Sequence, residues 1–137
     1  MGKFSELYNK LEDERNAELI KAAIVERNIE IENIEYDIYL FGLALNALDI
    51  ENIRDIKKVD GEFVITFKDD QYLHHISELE TPEGVKFHDK GRGFKIYVAD
   101  SNPEMIDEYF RIIIKSIEAF IDDRRLQIAT IKWRRNS

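Results

Sequence analysis

AELIKAAIVERNIEIENIEYDIYLFGLALNAL, residues 17–48, is the stretch on which the fold turns. Within it Ala17, Ile20, Ile24, Arg27, Ile31, Ile34, Ile38, Phe41, Leu45 and Leu48 alternate spacings of three and four. That is a heptad seam with one polar member, Arg27, and it predicts a long helix. Ile34, Tyr36, Ile38 and Leu40 also alternate as a strand would, but the seam runs far beyond that window. From Glu18 to Asp37 the apolar stripe is narrow and the rest is charged, so this half is expected to be partly solvated. From Ile38 to Leu48 the stretch is apolar nearly all round and is expected to be buried.

Upstream, Phe4, Leu7, Tyr8 and Leu11 fall at helical spacing and predict a short amphipathic helix over 3–13. Asp13-Glu14-Arg15-Asn16 then interrupts the pattern, either as a turn or as a shift of the stripe within one helix. Downstream the period changes to two. Phe63, Ile65 and Phe67 alternate with Val64, Thr66 and Lys68, and Asp60-Gly61 is a hairpin turn signal. Asp69-Asp70 and Thr81-Pro82-Glu83-Gly84 mark further turns. Strands are expected near 54–59, 62–68, 71–76, 85–88 and 94–99, with Lys57, Lys86, His88 and Lys95 on the polar face. Ser101 followed by Glu104 fits a capping box opening a second long helix. Its stripe runs through Ile106, Phe110, Ile113, Ile117 and Phe120 to about 135, and Trp133 is read as a packing anchor.

The expected fold class is therefore α+β in a single domain over 1–137. Two long antiparallel helices, about 17–48 and 103–135, flank an antiparallel β-meander of four to five strands. If Leu48 lies near Met105, Glu26 and Glu30 fall beside Arg124 and Arg125, and the acids around Glu14 and Glu18 reach the basic end of the chain. The resulting stalk, 17–37 beside 119–135, has a thin core. A third helix is needed to thicken it, either residues 3–13 or a helix from another copy.

Composition narrows the chemistry. The 137 residues contain no cysteine, which removes disulfides, zinc–cysteine sites and thiol catalysis. The first residues turn polar at once, and the longest apolar run is well short of the ~20 residues a membrane span needs. A cytoplasmic protein without membrane contact is expected. The net charge of −8 disfavours direct nucleic-acid binding. The charge is uneven: the last fourteen residues hold Arg124, Arg125, Lys132, Arg134 and Arg135 and no acid.

His74-His75 is the most conspicuous pair, but on a strand the two side chains point to opposite faces and cannot share one metal. The hairpin around Lys86, His88, Lys90, Arg92 and Lys95 is the most basic, glycine-rich loop, and it matches no phosphate-loop pattern. Glu26, Glu30 and Asp37 share a helix face. These eight residues are the candidate partner-binding positions. No serine sits in a nucleophile elbow, so no catalytic residue, cofactor or metal is assigned.

Long seams without a chemical motif point to a non-enzymatic protein–protein interaction or assembly module, self-associating as a dimer through its helical stalk. The acidic run offers an alternative, an inhibitor filling a basic groove on a nucleic-acid-handling protein. The 86–95 hairpin offers another, a small-ligand or phosphate site.

Overall fold

The computed structural model describes residues 2–91 and 93–136, the last two of them by backbone alone. Its fold is α+β: two long helices and a four-stranded antiparallel sheet. Helix α1 runs from Lys3 to Ala47 without a break, so residues 3–13 are its first turns and not a separate helix. Asp13–Asn16 lie within it because none of the four is a strong helix breaker. At 1.5 Å per residue, α1 is about 68 Å long. Helix α2 spans Glu104–Asn136. The acceptor at its start is Asn102, whose Oδ1 receives the Glu104 amide at 3.1 Å, in place of the expected Ser101 box.

Between the helices lie β1 (Ile53–Val59), β2 (Glu62–Phe67), β3 (Val85–Asp89) and β4 (Phe94–Val98). The sheet order is β1-β2-β4-β3, so the last strand inserts between its two predecessors. The β1–β2 hairpin turns at Asp60 and Gly61, both with positive φ (51° and 79°), which is the geometry Asp-Gly favours. No strand forms at 71–76. Leu73–Ile76 is a 3-10 turn, because Leu73 and Ile76, three residues apart, both point into the core and are fully buried. That turn carries the chain across to β3.

One sheet face supplies the core. Phe63, Ile65 and Phe67 of β2 and Phe94, Ile96 and Val98 of β4 are buried, and their neighbours in sequence are not. Register places Ile65 opposite Ile96 and Phe63 opposite Val98. Phe41, Ala44 and Leu48 of the α1 end and Ile113, Ile117 and Ile121 of α2 close over them. The expectation that 38–48 is buried all round holds on one side only: Tyr39 and Asn46 are exposed. Two side chains clamp the loops. Asn52 donates to the carbonyls of Ala47 and Asp69, both at 2.8 Å, and accepts the Asp69 amide at 3.0 Å. Asp70 accepts the Phe94 amide at 2.8 Å.

Candidate interaction surfaces

The helices pair in an antiparallel sense, fixed by three contacts. Phe41 and Phe120 have ring centroids 4.7 Å apart. Arg124 lies 3.7 Å from Asp37. Glu30 lines a groove with Gln127, Thr130 and Ile131. Expected pairing placed Glu30 at the level of Arg124, and Asp37 stands there instead. The first two contacts put Leu48 level with residue 113 and not with Met105, so the helices are slid by eight residues, or about 12 Å, from the expected register. The cause lies at the other end. Ile106, Tyr109 and Phe110, in the first turns of α2, pack against the sheet core and carry that end of α2 past the end of α1.

This slide decides what stays uncovered. The end of α2 falls near the level of residue 25 of α1. The first ~22 residues of α1, a length of about 33 Å, extend beyond it with no packing partner among the described residues. The acids at Glu14 and Glu18 therefore do not meet the basic end of α2. Phe4 is 89% exposed, Leu19 69% and Ile20 61%. Leu7, Tyr8, Val25 and Ile29 are also exposed. Residues 3–13 do not fold back to thicken the stalk. Trp133 is 70% exposed and anchors no packing.

Of the acidic candidates, Asp37 is engaged by Arg124, whose guanidinium also lies 4.1 Å from the centre of the Phe120 ring. Glu30 borders the inter-helix groove of about 280 Å³, and Glu26 is exposed on α1. Arg125 pairs with Asp122 on its own helix at 3.4 Å rather than with Glu26 or Glu30.

The basic candidates group as strand alternation requires. Lys86, His88 and Lys95 lie on the outer sheet face, with His88 opposite Lys95 and Lys86 opposite Tyr97. Lys86 lies 5.9 Å from the centre of the Tyr97 ring and 3.9 Å from Glu62, and His88 meets Tyr97 edge-on. Lys95 and Tyr97 border an open depression together with Arg54, Lys57, Lys68, Asp55 and Asp70; Lys86 and His88 lie outside it. Lys90 is exposed in the β3–β4 turn, and Arg92 lies outside the described residues.

His74 and His75 sit on the 3-10 turn, not on a strand, and both are exposed. Nδ1 of His74 contacts the Asp89 carboxylate, tying the crossover to β3. Among the described residues no three His, Cys, Asp or Glu side chains group to hold a metal, and no helix is long and apolar enough to cross a membrane.

Comparison with protein-family models, curated proteins and solved structures gives no match, so the functional reading rests on these surfaces alone.

Proposed function

We propose that this chain is a non-enzymatic interaction and assembly module that acts through its helical stalk and self-associates. The observation that carries the reading is the part of α1 that extends beyond α2, with Phe4, Leu7, Tyr8, Leu19 and Ile20 exposed along it. An isolated helix is marginal in water, and tertiary packing of an apolar face ordinarily supplies its stability. A projection of this length with large apolar side chains in water is therefore a binding element whose partner completes it. The head, a sheet closed by Phe41, Ile113 and Ile117, anchors the other end of the same helix.

Sedimentation velocity of the whole chain across the micromolar range tests the reading. It predicts a dimer that dissociates on dilution, and a Leu7→Asp/Val25→Asp variant that stays monomeric with its head folded. A monomer throughout, together with unchanged behaviour of the variant, defeats self-association.

The outer sheet face supports a second reading, because Arg54, Lys57, Lys68 and Lys95 border one depression with Tyr97, and Lys86 lies 5.9 Å from the Tyr97 ring, on a chain of net charge −8. It binds a small anionic ligand through Lys86 and Lys95. Titration with inorganic phosphate, followed by the amide shifts of residues 86–97, checks it; silence there at millimolar phosphate removes it.

A further inference from the structure

Helix α1 carries a second seam that the head does not use. From residue 4 to residue 29, Phe4, Tyr8, Leu11, Arg15, Glu18, Ala22, Val25 and Ile29 alternate spacings of four and three. All eight are exposed. At 3.6 residues per turn they share one stripe, on the side of α1 opposite Ile31, which faces the core. The order of this stripe is the same in length and spacing read from either end.

We infer that this stripe is a homodimer seam, and that its occupant is the same stripe of a second copy running antiparallel. The inference rests on the self-association reading above and adds the face and the register. Reversing one copy against the other sets Phe4 opposite Ile29, Tyr8 opposite Val25 and Leu11 opposite Ala22. The two charged members then fall opposite each other, Arg15 of each copy against Glu18 of the other. The pairing leaves every apolar member on an apolar one and every charge on its opposite. A parallel in-register pairing instead sets Arg15 on Arg15 and Glu18 on Glu18, which repel. Within one chain Arg15 holds Glu12 at 2.5 Å and Glu18 lies 3.8 Å from Lys21. Both pairs are solvent-exposed and contribute little, so exchanging them across the seam costs little.

The size of the seam suits a stable dimer. Bringing residues 3–30 of two copies together overlaps the helices for about 40 Å. The exposed parts of Phe4 and Tyr8 in two copies amount to roughly 450–750 Å² if each ring carries ~150–250 Å². Leu11, Ala22, Val25 and Ile29 carry the total towards the ~1,200 Å² of a specific interface. The two heads project from opposite ends of the paired rods, so the sheet faces of both remain open.

Because the chain has no cysteine, introduced thiols report alone. Tyr8→Cys and Val25→Cys chains are mixed and oxidised. The expected result is a disulfide between the two variants, with neither variant linking to itself. In the same experiment Arg15→Glu weakens dimerisation at least about tenfold, and adding Glu18→Arg restores it. A dimer in which Tyr8→Cys links to itself, or in which the mixed disulfide fails to form, overturns the antiparallel seam and leaves self-association standing. A monomer at all micromolar concentrations overturns both.

Discussion

Arg124 of α2 reaches across to Asp37 of α1, Nε to Oδ2 at 3.7 Å, while its guanidinium lies over the Phe120 ring. The ring in turn packs on Phe41, so one arginine joins the polar edge of the helix pair to its apolar centre. Arg124 is only about a quarter exposed, which lifts the contact above an ordinary surface pair. Arg124→Ala is expected to cost about 1–2 kcal/mol, the sum of a cation–π contact and a partly shielded ion pair. Asp37→Asn should cost less, about 0.5 kcal/mol, because the stack survives. Urea denaturation of the single and double variants measures both terms and their coupling.

Asn52 joins the exit of α1 to the exit of β2 through three hydrogen bonds. Asn52→Ala leaves the Asp69 amide without that acceptor and is expected to destabilise the domain by about 2–3 kcal/mol. Hydrogen exchange at Asp69 reads the local loss, and thermal melting reads the global one.

Gly93 adopts φ of +100°, and a Cβ there would collide with Oδ2 of Asp70, the group that receives the Phe94 amide. Gly93→Ala therefore combines backbone strain with loss of that acceptor, for an expected cost of about 2–4 kcal/mol. Gly61 also has positive φ but open space around it, so Gly61→Ala should cost only about 1–2 kcal/mol. The order of the two melting temperatures is the check.

Ile117 is fully buried between α2 and the sheet, and Leu19 is exposed on the projecting part of α1. Ile117→Ala is expected to lose about 2–5 kcal/mol. Leu19→Ala should stay within about 0.5 kcal/mol in a dilute, monomeric sample.

Trypsin sites at Lys10, Arg15 and Lys21 lie on the projection beyond α2. Cleavage there should be fast in dilute protein and slow once copies associate, whereas Lys115, on the helix that closes the core, resists at both concentrations. Mass spectrometry of timed digests distinguishes these sites.

Much of the candidate surface was legible from the residues. Strand alternation alone placed Lys86, His88 and Lys95 on one face, and the structure keeps them there. The seam from Phe4 to Ile29 was harder to see. The expected short helix over 3–13 divides it at Asp13–Asn16. The signal that reveals it is the unbroken four-and-three spacing through Arg15 and Glu18, two charges that a search for apolar residues passes over.

Local order in this protein follows from the sequence alone, because each pattern is complete within a few residues. The heptad of 17–48, the alternation of Phe63, Ile65 and Phe67, and the Asp60-Gly61 turn each specify a helix, a strand or a reversal wherever they occur. What the tertiary structure alone decided is how these pieces are registered: Asp37 and not Glu30 beside Arg124, β4 between β2 and β3, and 71–76 as a crossover. The physical reason is periodicity itself. A repeating apolar seam offers a similar face at every turn, so neither helix by itself fixes which turns lie side by side. The packing of Ile106, Tyr109 and Phe110 on the sheet makes the choice, and with it leaves the first half of α1 uncovered.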